Sequence, residues 1–211
     1  MADRNRGTLS AMRATIVAGA AALALAALVP AASSAPSARS CPAAWKSGWQ
    51  ALANRIQAPV YCPTWMPNPL DANIRGQYID INSVHADRSY LISFLEHGDA
   101  GSGDVHVNFR GYPGRARIPN CTTVIPNGKQ TIRGTTPCFA DAAGTRKAGA
   151  ITATVYQVNQ DADQWHILLA WHHRGSLYTV SQHVITPYTH RQVVKNLDRL
   201  LAGLVLVQPE G

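Results

Sequence analysis

The chain has 211 residues, of which 19 are Lys or Arg and 12 are Asp or Glu, so its formal net charge at pH 7 is +7. Residues 36–211, which follow an N-terminal leader, are enough for one domain with a sizeable core and too few for two. They contain no internal repeat and no second long apolar run, so we expect this part of the chain to be soluble.

The leader, residues 1–35, has the order of an export signal. Three arginines precede an alanine-rich apolar run at residues 14–29, and a tract of small residues follows it. The run is shorter than the about 20 strongly apolar residues that a membrane span needs, which favours cleavage, for example after Ser34, over a permanent anchor. If the leader is retained, residues 14–29 are the membrane anchor. Residues 36–40 are then a flexible lead-in to a single domain at 41–211.

All four cysteines follow the leader, and an even number of cysteines outside the cytoplasm indicates disulfide bonds. The spacing favours pairing Cys41 with Cys62 and Cys121 with Cys138, since each bridge closes a local loop and stabilises the fold by about 3 kcal/mol. A four-cysteine zinc site is disfavoured because no two cysteines form a close ligand pair.

The first predicted element is a helix over residues 43–56, directly after Pro42. Its apolar residues recur at helical spacing and predict a buried stripe made of Trp45, Trp49, Leu52 and Ile56. The next segment, residues 58–69, contains four prolines and is predicted to be an extended connector held by Cys62.

Three strands are predicted next, at residues 77–84, 89–96 and 104–110, and they form a meander. In the third strand Val105, Val107 and Phe109 point inward. The glycine-rich segment before it lacks both the carboxylate spacing of a calcium loop and the following helix of a phosphate loop. It is therefore predicted to be a hairpin connection.

The second half repeats this pattern, with strands predicted at 150–158, 164–171 and 176–182. A helix follows, for which Thr186 is the predicted cap and Pro187 the first helical residue, and residues 204–207 are predicted to return as a strand. The predicted fold class is α+β. It is an antiparallel sheet of about six strands with an N-terminal and a C-terminal helix packed on it.

One strand-and-turn pattern near the C-terminus resembles a known group of domains. The pattern Trp-x-x-x-Gly-x-x-Tyr-x-Val-Ser precedes the last helix and comprises Trp171, Gly175, Tyr178, Val180 and Ser181. It is similar to a pattern in uncharacterised extracytoplasmic domains, secreted or membrane-anchored, of Gram-positive and especially high-GC bacteria. The resemblance covers about residues 150–205. It implies an antiparallel sheet with packed helices, used in binding or envelope association, and no inherited active site.

Histidine is the residue type most able to carry hidden chemistry. Eight are present, without His-x-His or His-Glu-x-x-His spacing: His85, His97, His106, His166, His172, His173, His183 and His190. His166 and His172 share a strand face but lie about 20 Å apart. Distant partners such as His106 or His183 would have to converge through the fold. We therefore expect no metal site and no cofactor.

Positive charge is concentrated in residues 110–147, which contain a single acidic residue, Asp141. The segment is predicted to form a cationic, disulfide-closed loop or hairpin projecting from the sheet. Its candidate anionic partners are an envelope polymer, a lipid head group and an acidic protein surface. An ordinary solvated loop is the alternative, and export argues against nucleic acid. The candidate binding residues are Arg110, Arg115, Arg117, Lys129, Arg133, Arg146 and Lys147.

Two functions from different classes follow from these patterns. The sequence favours an exported, non-catalytic binding or envelope-associated domain that contacts an anionic partner through residues 110–147. The alternative is a secreted hydrolase with a dispersed His/Asp site, such as His106 with Asp80 or Asp104. No Gly-x-Ser-x-Gly motif is present, and the cysteines are expected to be oxidised, so no catalytic nucleophile is predicted.

Overall fold

The structure is a computed structural model that describes residues 39–71, 83–96, 104–127, 130–158 and 165–211. The predicted export signal, most of the first predicted strand and most of the glycine-rich connection lie outside these ranges. No helix among the described residues is both long and apolar enough to cross a membrane.

Helices and strands occupy most of the described residues, with one helix near each end. The two helices are α1 (Ala43–Ile56) and α2 (His190–Ala202). The strands before the middle of the chain are β1 (Val60–Pro63), β2 (Ser83–Val84), β3 (Tyr90–Leu95), β4 (His106–Tyr112) and β5 (Asn120–Asn127). The later strands are β6 (Gln130–Pro137), β7 (Thr145–Ala148), β8 (Ile151–Val158), β9 (His166–His173), β10 (Ser176–His183) and β11 (Leu204–Val207).

The main sheet has seven strands in the order β2-β3-β4-β10-β9-β8-β7, and every neighbouring pair is antiparallel. The α+β class and the two meanders are confirmed, while the predicted count of about six strands misses β7. A long-range pairing between β4 and β10 joins the two meanders. This pairing brings residues from the two halves of the domain next to one another.

Both helices contribute to one hydrophobic core on one face of this sheet. From α1, the indole ring of Trp45 meets the ring of Phe94 edge-on at 5.3 Å, and that of Trp49 meets Phe109 at 5.9 Å. The predicted buried stripe of α1 is confirmed except at Leu52, which is half-buried; Ala53 is fully buried in its place. Each large side chain buried here contributes about 2–3 kcal/mol.

The predicted start of the second helix is wrong. Thr186 and Pro187 lie in the turn before α2, and Thr189 is the residue that caps it. Thr189 accepts a hydrogen bond from the backbone N–H of Gln192, whose side chain accepts one from the backbone N–H of Thr189. This reciprocal capping box satisfies two N–H donors at the helix start, which a proline at the first helical position does not achieve.

Both predicted disulfides are present, Cys41–Cys62 and Cys121–Cys138. The first lies at the start of the domain, where Cys62 belongs to β1, and β1 pairs with β11 in a small two-stranded sheet. The second closes the base of the β5–β6 hairpin, which forms another two-stranded sheet. Two such bridges indicate an oxidising, extracytoplasmic environment.

Candidate metal centre

Three histidines meet at one end of the main sheet. His106 begins β4, His166 begins β9 and His183 ends β10, and these strands are neighbours in the order β4-β10-β9. His183 is paired directly with His166, and the pairing of Gln182 with Val107 places His183 beside His106. Because side chains alternate along a strand, all three imidazoles lie on the face opposite the main core.

The three rings are in mutual contact. The ring centres of His106 and His166 are 4.5 Å apart, those of His106 and His183 4.8 Å, and those of His166 and His183 5.3 Å. One ring nitrogen from each histidine lies within 4.8 Å of the other two. His166 and His183 are buried and His106 is half-buried. The cluster therefore brings three imidazoles, one nitrogen of each close enough to share a metal ion, to the end of three adjacent strands.

The backbone carbonyl of Asp104 orients two of the rings. Nδ1 of His106 lies 2.8 Å from this oxygen, and Nδ1 of His183 lies 3.2 Å from it. A carbonyl oxygen only accepts hydrogen bonds, so both rings carry a proton on Nδ1. In the neutral rings Nε2 then has the lone pair. This is the second-sphere arrangement usual for metal-binding histidines, whose outer nitrogen donates to a backbone carbonyl or another acceptor.

His166 is oriented by a hydroxyl group instead. Its Nδ1 lies 2.9 Å from Oγ of Ser181, and its Nε2 lies 2.8 Å from Nε2 of His106. Since Nε2 of neutral His106 accepts, Nε2 of His166 donates, and Ser181 donates to Nδ1 of His166. If Nε2 of His166 were to hold a metal ion, its proton would move to Nδ1, and the Ser181 hydroxyl would accept that N–H because a hydroxyl serves both roles.

Apolar residues bound the cluster on both sides along the same row of the sheet. Leu95 pairs with His106 from β3, and Val158 pairs with His166 from β8. Both are buried, with 3% of their surface exposed. Such flanks limit water and lower the local dielectric, which strengthens the interaction between a metal ion and its ligands.

A polar row lies behind the cluster on the same face. Ser181 is paired with Asn108, which in turn is paired with Ser93, and all three are buried. The Ser93 hydroxyl donates to Oδ1 of Asn108 at 2.6 Å. Buried polar side chains are stable only when hydrogen-bonded, and this contact satisfies the Ser93 hydroxyl and one acceptor of Asn108.

The spacing of the cluster is close to that of a metal site. Zinc binds imidazole nitrogen at about 2.0–2.1 Å, so a tetrahedral ion needs its nitrogen ligands about 3.3–3.4 Å apart. Two nitrogens that hold one zinc ion would therefore have to lie slightly farther apart than the 2.8 Å between Nε2 of His106 and Nε2 of His166. An all-imidazole set suits zinc, copper or nickel rather than the oxygen-preferring calcium and magnesium.

The convergence through the fold that a metal site would require of these distant histidines is present at His106, His166 and His183. His106, His166 and His183 are widely separated in the chain, so no spacing motif marks them. The usable signal was their position in the chain, because each histidine lies within two residues of the end of a predicted strand. His172 is separate, as expected: it lies at the other end of β9, and its Nε2 contacts the carbonyl oxygen of Ala116 at 2.8 Å.

The predicted basic residues are distributed over several elements rather than one loop. Arg115 pairs with Asp87 at 3.0 Å, and Arg146 pairs with Asp198 at 3.4 Å. Hydrogen bonds from Ser89 lower the pKa of Asp87, and Arg115 lowers it further. The remaining residues comprise Arg110 in β4, exposed Arg117 before β5, exposed Arg133 in β6, exposed Lys147 in β7, and Lys129, which lies outside the described residues.

The contact between His106 and Asp104 differs from the one that the predicted hydrolase requires. The Asp104 atom that meets His106 at 2.8 Å is its backbone carbonyl oxygen. Asp80, the other predicted partner, lies outside the described residues. The contact orients the imidazole ring, and it does not by itself make a carboxylate–histidine catalytic pair.

No family model, curated protein or solved structure matches the chain. The resemblance to extracytoplasmic domains of Gram-positive bacteria therefore stays a prediction. Because one fold supports many functions, the geometry of the histidine cluster, rather than the fold, bears on what the protein does.

Proposed function

We propose that this protein is an exported domain that binds one divalent transition-metal ion through His106, His166 and His183. The observation that carries the proposal is the convergence of three imidazoles whose Nδ1 atoms are all engaged by Asp104 or Ser181. This second sphere directs the three Nε2 atoms toward a common ligand role. Zinc and copper are the ions that best suit three neutral imidazoles.

Titration of the purified, disulfide-intact protein with zinc or copper tests the proposal by isothermal titration calorimetry. We expect one equivalent to bind. Replacing His106, His166 or His183 with alanine should weaken binding by at least about a hundredfold, since each change removes a ligand. Ser181→Ala should weaken it by about 10–100-fold, as is usual for second-sphere residues.

His172→Ala is the matched control, because it removes an exposed imidazole from the same strand and face without touching the cluster. Its affinity should equal that of the unchanged protein. Circular dichroism of every variant separates loss of a ligand from loss of the fold. Absence of zinc, copper and nickel binding in the folded protein, or equal affinity in all variants, would overturn the proposal.

We propose, second, that an anionic envelope component is attracted by three exposed cations, Arg117, Arg133 and Lys147, which lie before β5, in β6 and in β7. Arg115 and Arg146 are instead engaged with Asp87 and Asp198. Exposed cations attract anionic polymers through an interaction that salt screens. These three residues are not part of the histidine cluster, so either proposal can hold without the other.

Sedimentation with isolated envelope fractions over a salt series tests this second proposal. The variant Arg117→Glu/Arg133→Glu/Lys147→Glu should lose binding at low salt by about tenfold or more, because it replaces attraction with repulsion. The control Arg55→Glu/Arg191→Glu/Lys195→Glu makes the same change in net charge at exposed positions elsewhere. Equal binding by both variants, whether retained or lost, would contradict a specific role of Arg117, Arg133 and Lys147 in binding.

A further inference from the structure

We propose that the metal ion held by the three histidines takes a small oxyanion, a carboxylate or a phosphate group, as its fourth ligand. This inference rests on the proposed metal-binding function and adds the class of molecule that the centre binds. It makes the centre a receptor for an anionic ligand rather than a closed structural site.

The histidine cluster offers a metal ion three protein ligands. In the described parts of the chain, the metal-competent group consists of three histidines. They come from three adjacent strands and one sheet face, so they approach the ion from the same side. Structural zinc sites are closed by four protein ligands, whereas sites with three keep a position for water or an exogenous ligand. The histidine cluster matches the second kind.

Neutral imidazoles bring no negative charge to the metal ion. Three neutral imidazoles leave the full 2+ charge of the ion uncompensated, whereas a ligand set with carboxylates or thiolates would reduce it. The buried side chains of Leu95 and Val158 flank the cluster and do not screen this charge. The chain as a whole is also cationic, with a formal net charge of +7. An anion is therefore the favoured fourth ligand.

The anion expected at the fourth position is one that binds through oxygen. Zinc and copper in an imidazole site bind carboxylate oxygen readily. Carboxylate and phosphate groups share the same donor, a negatively charged oxygen, and both occur on polymers and small molecules outside the cytoplasm. The shared chemistry is thus an oxyanion, and competition between acetate and phosphate identifies which of the two is preferred.

Visible spectroscopy of the copper- or cobalt-loaded protein tests this inference, with azide as a coloured probe of the fourth position. Azide should give a saturable new absorption band. Acetate or inorganic phosphate at ten times its own dissociation constant should raise the apparent azide dissociation constant about elevenfold by competition. The anion that competes at the lower concentration identifies the preferred class.

The outcomes separate this inference from the metal-binding proposal. If no metal binds to the folded protein, metal binding fails and this inference fails with it. If one equivalent binds but azide leaves the spectrum unchanged, only the exchangeable fourth position is overturned. If azide binds and neither acetate nor phosphate competes, the oxyanion assignment is overturned. The metal-loaded His172→Ala protein should respond like the unchanged protein.

Discussion

The variant Cys41→Ala/Cys62→Ala should lose about 3–4 kcal/mol of unfolding free energy. About 3 kcal/mol is the chain-entropy contribution of a bridge that closes a loop of this size, here with a sequence separation of 21. The loss of local contacts adds to this contribution, because Cys62 is fully buried and its Sγ accepts a hydrogen bond from the Trp45 indole N–H at 3.1 Å. Urea denaturation followed by tryptophan fluorescence measures the change.

The matched control is Cys121→Ala/Cys138→Ala, whose bridge has a similar sequence separation of 17. This bridge closes the β5–β6 hairpin, whose strands pair only with each other among the described strands. An isolated two-stranded hairpin is marginally stable, so without the bridge it can open while the main sheet stays folded. Global stability should then fall by less, and amide exchange should rise within the hairpin. Equal global losses in the two variants would contradict this distinction.

Local patterns predicted most of the fold because local contacts determine most of its elements. Alternating apolar residues identified β4, where Val107 and Phe109 are buried as expected, as is Val105 directly before the strand. Helical spacing of two tryptophans identified α1. In each case one face of the element is apolar and the other is not, which is what periodicity detects.

The errors occurred where burial does not control the local sequence. Strand β7, Thr145–Ala148, lies at the sheet edge with exposed residues at three of its four positions, so it has no apolar alternation to detect. The start of α2 was misplaced because Thr186–Pro187 and Thr189 both fit the residue preferences of a helix start. Only the capping box with Gln192 distinguishes them.

The histidine cluster could not be predicted for a different reason. His106 and His183 are neighbours only because β4 pairs with β10, and that pairing joins the two separately predicted meanders. Neither the periodicity of one strand nor the spacing of the histidines contains this information. Ser181 was singled out in the sequence as part of a strand pattern, yet its contact with Nδ1 of His166 also depends on the pairing of β10 with β9.

Metal affinity should fall steeply with decreasing pH, by up to about a thousandfold per pH unit at the acid end. A metal ion binds only imidazoles whose ligand nitrogen is unprotonated, so every proton taken up by the cluster has to leave before binding. Three ligands give a limiting slope of three protons.

Chelator competition over a pH series measures the slope, and calorimetry in buffers of different ionisation enthalpy counts the protons released. His106→Ala should bind more weakly with a limiting slope near two, and His172→Ala should keep a slope near three. A slope of one or less in the unchanged protein would mean that fewer than three imidazoles hold the ion. Because bound metal at a hundred times its dissociation constant stabilises the fold by about 2.7 kcal/mol, the melting temperature should lose its metal dependence over the same pH range.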